Sequence, residues 1–326
     1  MATRWPLSLE SAAPVLTVSG PAGVCMRTRF MRSKGALSSA GFAAFLFLFP
    51  GLFFYVCFEI VPLVGTTVLS FTNWNGFDFR QIKLSGFGNF SEITKDHVFW
   101  LSLLHNVIFT AGSLTLRLGV ALMLALILDQ SFPAANFIRG VYLLPTVLSL
   151  VTIGVTFKLA LSPTLGFIVP FFKAIGLKAL AIDNLGNSKT VMQTLVLIDT
   201  WCGVGLFMFL FTSKLMTINQ DLHEAAKVSG ANVFQDIWYV TLPLLKATTA
   251  MIMLIGVIES FKIFPTVYIM TNGGPWHSSE VLSSWAYFQA FTANRVGYGS
   301  SILFVQLIIT VIFAFIQTKY QPREIE

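Results

Sequence analysis

Six apolar runs, each set off by a polar stretch, make up most of this chain, at about 42–71, 100–128, 140–161, 191–212, 246–270 and 300–315. A helix rises 1.5 Å per residue, so about 20 apolar residues cross the roughly 30 Å of a bilayer's hydrocarbon core. Runs of this length predict membrane-spanning helices. The first exceeds that length and must tilt, bend or project, with Pro50 and Pro62 as the bends. The expected fold is all-α: a polytopic membrane protein with six transmembrane helices.

The polar stretches differ in kind. Residues 72–99 are rich in Asn, Gly, Asp and Lys, and 129–139 is a short turn. Residues 162–190 hold Pro, Gly and Lys around an apolar piece too short to span, which reads as an external loop with an interfacial helix. The stretch from Asp221 to Leu245 is helical in pattern. Leu222, Ala225, Ala226 and Ser229 recur at three- and four-residue spacing, giving a narrow face of small and apolar side chains. Gly230 supplies a residue that takes positive φ where the helix stops. Asn232 can cap a second helix with Phe234, Ile237, Trp238 and Leu242 on one face, and Pro243 ends the pair. With Glu224 exposed on the first helix, this is a compact knob shaped to lodge in another protein's groove. The alternative, a helix pair lying flat on the membrane, is disfavoured because the small-residue face lacks bulky apolar anchors.

Composition agrees with the pattern. The chain is 55% hydrophobic and 11% charged, against roughly 25% charged in soluble domains. Its net charge of +6 is read as a topology signal rather than a nucleic-acid footprint, because basic residues gather beside the spans. Arg27, Arg29, Arg32 and Lys34 directly precede the first run and place that end in the cytoplasm. Six crossings then put both termini and the 221–245 knob inside, with Lys83 and Asp183 outside. Residues 1–41 form an N-terminal cytoplasmic tail, expected to be disordered, with Met26 and Met31 as alternative starts. Cys25, Cys57 and Cys202 have no paired spacing, so neither a disulfide framework nor a metal cluster is expected. The chain holds no G-x-x-x-x-G-K-[ST] phosphate loop, H-E-x-x-H or G-x-S-x-G. Hydrolysis of ATP by this chain is therefore not expected, and enzyme is the weaker class.

Glu224-Ala225-Ala226, then Gly230, Val240 and Leu242-Pro243, resembles the EAA motif of permease subunits of bacterial ABC importers. Valine stands in the usual isoleucine position, and Asn219 where a proline commonly precedes the helix, a change expected to loosen the helix start. Ser70–Gly76 looks like the carbohydrate-uptake branch of that family. Thr271–Pro275 and Gly297-Tyr298-Gly299-Ser300 look like the subunit type paired with a second, different permease.

The resemblance implies a transmembrane domain over 42–326 with a cytoplasmic coupling loop, 213–245, between the fourth and fifth spans. Glu224, Ala225, Ala226, Gly230, Leu242 and Pro243 would carry the coupling. Implied partners are a second permease subunit, two ATPase subunits that use ATP and Mg, and an extracytoplasmic solute-binding protein. No cofactor is implied in this chain. The setting would be the inner membrane of a bacterium and the mode alternating access for a sugar or oligosaccharide.

Ionisable residues deep in spans are the candidate chemistry, because burial at the bilayer centre costs at least about 2.5 to 3.5 kcal/mol. Arg117 lies about 17 Å from the inner end of the second run and Asp199 about 12 Å from the outer end of the fourth. Lys262 is expected either to face the solute path or to pair with Glu259 three residues before it. Lys158 and Glu59 are expected to snorkel to the outer surface. Asn106, Phe264 and Tyr268 are of the types that bond and stack on sugar rings. An unpaired Arg117 or Lys262 would favour an anionic solute such as a glycerol phosphate or an acidic oligosaccharide. A membrane-embedded enzyme and a passive channel are the rival classes, and a channel needs no coupling loop.

Overall fold

The computed structural model describes residues 34–78, 80, 82–129, 134–177 and 182–320. The expected tail lies outside the described residues up to position 33; from Lys34 the chain is helical. Two units divide the chain, Met1–Ile60 and Val61–Glu326. The first holds α1 (Lys34–Tyr55) and a π-helical turn, Val56–Ile60, that includes Glu59. From Phe42 its described side chains are almost all exposed, and Phe45, Phe49 and Phe53 form a ladder of rings at four-residue spacing.

The second unit runs α2 (Val61–Leu69), α3 (Gly88–Ile93), α4 (His97–Leu128), α5 (Ala135–Val147), α6 (Leu150–Ala160), α7 (Ile168–Ala174) and α8 (Val191–Leu215). After the 216–219 turn come α9 (Gln220–Val228), α10 (Val233–Asp236), a π-helical turn and α11 (Leu242–Leu244). Then follow α12 (Lys246–Phe261), α13 (Pro265–Met270), α14 (Leu282–Tyr287) and α15 (Val296–Lys319). No strand forms among the described residues. Among the described residues, five helical stretches are long and apolar enough to cross a membrane: Ala44–Leu69, His97–Leu128, Val191–Leu215, Lys246–Met270 and Val296–Lys319.

The third expected span is the exception. It is not one rod: α5 and α6 meet at 96°. Pro145 removes a backbone donor in the last turn of α5, and Leu148 and Ser149 are extended, with ψ of 146° and 130°. The fifth span is interrupted as well. Its helical geometry fails at Lys262 and Phe264, directly before Pro265, whose ring disfavours a helical residue ahead of it. Lys158 on α6, itself exposed, donates to the Ile269 carbonyl on α13 at 3.0 Å and so tethers these two half-helices.

The α4–α8 pair is the most extensive helix contact. Along α4 the buried positions Phe99, Ser102, Asn106, Phe109, Ser113, Arg117, Ala121, Ala125 and Leu128 recur every three or four residues. That stripe mixes small and polar residues, as expected where close packing and hydrogen bonds, rather than the hydrophobic effect, hold membrane helices together. Phe109, Val191, Leu195 and Val267 fill one core, and Leu128, Phe207, Phe211 and Ile252 another. A third, around Phe99, Phe261, Leu282 and Ile302, joins α4, α12, α14 and α15.

Asp96 caps α4 and ties it to that third core. One carboxylate oxygen accepts from the Val98 and Phe99 amides at 2.9 and 3.3 Å. The other accepts from Trp285 Nε1 at 2.8 Å and the Tyr298 hydroxyl at 2.7 Å. Burial pushes this carboxyl up, but the four hydrogen bonds together outweigh it and hold its pKa below the ordinary value. The stabilisation is therefore complete above the unfolded-state pKa of about 3.9 and disappears as pH falls through the lower folded value. Asp96→Asn keeps a capping oxygen but turns an amide NH2 toward the Trp285 and Tyr298 donors, and should lower stability at neutral pH by about 1 to 2 kcal/mol. Thermal unfolding in detergent should show a smaller gap between variant and wild type in strong acid than at pH 7.

Candidate functional site

Where the third and fifth spans break, a cavity of about 320 Å³ opens. Pro145, Thr146, Leu148 and Leu150 flank it at the α5–α6 elbow, and Lys262, Ile263, Pro265 and Thr266 at the α12–α13 interruption. Arg117, Asp199 and Glu259 complete its charged lining. Irregular backbone at membrane depth is tolerated only where protein covers it or a wet cavity borders it, so the breaks and the cavity belong together.

Arg117 is buried at 5% exposure, and its Nη2 lies 2.5 Å from Asp199 Oδ2. Its Nη1 lies 3.4 Å from Glu259 Oε2, and its Nε donates to the Asp199 carbonyl at 3.2 Å. Asp199 is buried too, whereas the Glu259 side chain is 48% exposed. The possibility of an unpaired Arg117 is thereby corrected: one guanidinium serves two carboxylates on two helices. Gly203 makes room for it, because a Cβ there would lie 2.6 Å from Arg117 Cζ.

The expected pairing of Lys262 with Glu259 is not formed; Glu259 turns to Arg117 instead. Lys262 is exposed at the end of α12, and its ammonium makes no ion pair or hydrogen bond among the described residues. The other sugar-type candidates separate from this cavity. Asn106 is fully buried and structural, donating to the Phe261 carbonyl at 3.0 Å and accepting from the Leu282 amide at 2.8 Å. Phe264 and Tyr268 stack 5.2 Å apart, and Tyr287 packs on both, forming an aromatic cluster on α13 and α14. Gly203 was missed as a site residue. Its signal was only a small residue four positions after a buried aspartate.

The 213–245 segment forms the helix pair its pattern announced. Asn219 does not loosen the start of α9; its side chain caps it, accepting from the Asp221 amide at 3.0 Å. Gly230 takes φ +85°, and Asn232 with Gln235 forms a reciprocal capping box on α10. Across the elbow His223 Nδ1 lies 2.8 Å from Asp236 Oδ2, a clamp that reading the helices one at a time did not find. Glu224 and Ala225 are exposed and Ala226 partly so, while Leu242 and Pro243 are half-buried at the far end. The second helix exposes more bulk than the first: Phe234, Trp238 and Tyr239 are 83%, 67% and 73% accessible.

Broken helices around a charged cavity, with a polar helix pair between two apolar helices, define a multi-pass helical membrane protein of transporter type. Residues 117–326 match the model of the binding-protein-dependent transport system inner membrane component family, and the chain belongs to that family. It is an inner-membrane transport component. A probable ABC transporter permease of Bacillus subtilis, YurN, is 32% identical over 278 residues, 85% of this chain and 94% of that protein. The multiple sugar-binding transport system permease MsmF of Streptococcus mutans is 27% identical, over 85% and 94% of the two chains. The trehalose/maltose permease MalF of Thermococcus litoralis is 26% identical, over 84% and 92%. Among solved structures, a bacterial ABC transporter that imports the acidic polysaccharide alginate shares the fold, with TM-score 0.77 at 18% identity, covering 88% of this chain and 97% of that one.

Proposed function

We propose that this chain is one permease subunit of an ABC importer carrying a saccharide across the cytoplasmic membrane by alternating access. The observation that carries the reading is the 320 Å³ cavity set at two helix breaks and lined by four charged side chains, within a chain of this family. Relatives named for multiple sugars and for trehalose and maltose support a saccharide as cargo. A second permease subunit would complete the path. Two ATPase subunits would use ATP and Mg, and an external solute-binding protein would deliver the cargo.

In this reading the α9–α10 pair is the coupling element. Glu224, Ala225 and Ala226 sit on the first helix, Gly230 forms the elbow, and Leu242 and Pro243 return the chain to the membrane. Glu224→Ala removes a charged hydrogen-bonding group worth about 1.5 to 3 kcal/mol. The reconstituted complex should therefore still assemble in part, with stimulation of ATP hydrolysis by saccharide-loaded binding protein cut tenfold or more. Full stimulation by the variant would sink the coupling assignment. Downhill saccharide flux without ATP would favour a passive channel.

The same reading has both termini in the cytoplasm and Lys83 and Asp183 outside, supported by the basic residues that precede the first span. Positions 20 and 324, the natural probes of the ends, lie outside the described residues. Single cysteines at 83 and 183 should react with an impermeant maleimide in intact spheroplasts, while cysteines at 20, 224 and 324 should react only after lysis. Labelling of position 224 from outside would invert the arrangement and remove the site from an ATPase.

A further inference from the structure

Lys262 borders a second cavity, of about 290 Å³, on the other side of the α12–α13 break. Thr66 and Thr67 of α2, Ser283 in the first turn of α14, and Gln306 and Thr310 of α15 supply its polar lining. The charge balance of the two cavities differs. In the first, Arg117 and Lys262 face Asp199 and Glu259, so the lining sums to zero. In the second, Lys262 is the single charged lining residue among the described residues. Its ammonium is uncommitted among the described residues, and Glu259 does not neutralise it because that carboxylate lies against Arg117.

The remaining polar groups of the second cavity are mostly spent as donors. Thr67 donates to the Leu63 carbonyl and Thr310 to the Gln306 carbonyl. Ser283 donates to Gln306 Oε1, and Gln306 Nε2 to the Phe261 carbonyl. Ser283 Oγ also accepts from Gln306 Nε2 at 3.0 Å; what these hydroxyls still offer is their remaining acceptor lone pairs, which suit the hydroxyl donors of a sugar. What Lys262 offers is an ammonium with no direct ion-pair partner among the described residues.

We propose that this second cavity is a subsite for an anionic group, a carboxylate or a phosphate, carried on a saccharide. The Lys262 ammonium binds the anion, and the threonine and serine oxygens receive the ring hydroxyls. The cargo is thereby an acidic sugar rather than a neutral one. This rests on the saccharide-transport reading above, but the charge of the cavity can be measured without any transport.

The test uses the reconstituted complex in which Cys25, Cys57 and Cys202 are replaced by serine and Ser283→Cys places one thiol in the cavity wall. An anionic methanethiosulfonate reagent, the ethylsulfonate, should modify that thiol about tenfold faster relative to the cationic trimethylammonium reagent than it modifies a simple thiol in solution. K262M should abolish that preference and K262R should keep it. Galacturonate or glucose 6-phosphate at millimolar concentration should slow modification, and neutral galactose should not. Protection by the first alone identifies a carboxylate and by the second alone a phosphate. An unchanged reagent preference in K262M, equal protection by galactose, or a thiol that neither reagent reaches would overturn the proposal. A complex that shows the charge preference yet imports no saccharide would instead sink the transport reading and leave the anion subsite standing.

Discussion

Replacing Arg117 by methionine should remove most of the folded permease, with an expected loss of about 3 to 5 kcal/mol, the usual consequence of taking one partner from a buried ion pair. The reason is geometric. Asp199 lies among buried residues of α8, and its Oδ2 has no partner among the described residues besides the guanidinium 2.5 Å away. Without Arg117 the buried Asp199 carboxylate would lose its ion-pair partner, and Glu259 would lose its own as well.

The double change Arg117→Met with Asp199→Asn should recover more than half of that loss, because it removes the orphaned charge along with its partner. Detergent-extracted yield and thermal unfolding of the complex are the measurements. The pattern separates a structural ion pair from a solute ligand. Were Arg117 a solute ligand only, the single variant would assemble normally and fail in uptake, and the double variant would restore nothing. Gly203 constrains the same cluster, since any side chain at 203 would meet the guanidinium.

Gly230→Val should have the second large effect, on coupling rather than on the membrane bundle. Gly230 holds φ +85°, a left-handed conformation that a β-branched residue adopts at a cost of about 1 to 3 kcal/mol. No neighbouring atom lies within 4 Å of where its Cβ would be, so the strain is purely conformational. The elbow would re-form with another angle between α9 and α10, breaking the His223–Asp236 clamp that spans it. Association with the ATPase subunits should fall at least tenfold while the bundle stays folded. Gly230→Asn should be much milder, because Asn tolerates the left-handed region. Equal affinity in all three forms, measured by pull-down of the ATPase, would remove the elbow from the coupling mechanism.

The apolar runs, the glycine elbow and the Asn232 cap were legible in the amino-acid order. Each depends on residues within a few positions of one another: hydropathy along one helix, a backbone that needs no Cβ, a side chain that reaches its own helix start. The EAA spacing was legible for the same reason and led to the family. The interruption before Pro265 was not read in the amino-acid order; 246–270 was expected as one continuous span. The 96° bend at Leu148–Ser149 was not legible either, because neither residue breaks a helix by type. It forms where α5 packs on α8 and α6 on α13, and those contacts join segments far apart in sequence.

Charge pairing follows the same division. Sequence alone placed Arg117, Asp199, Glu259 and Lys262 deep in apolar runs and marked them as costly enough to need partners. It suggested the near neighbour, Glu259 with Lys262, because local spacing is the only proximity a sequence displays. The tertiary structure decided otherwise: Arg117 reaches Asp199 across 82 positions and Glu259 across 142. Helix–helix packing brings those groups within 4 Å, and the strength of an ion pair depends on distance in space and on desolvation, neither of which the order of residues records. Lys262 is left without an ion pair among the described residues for that reason, at a break that opens on two cavities.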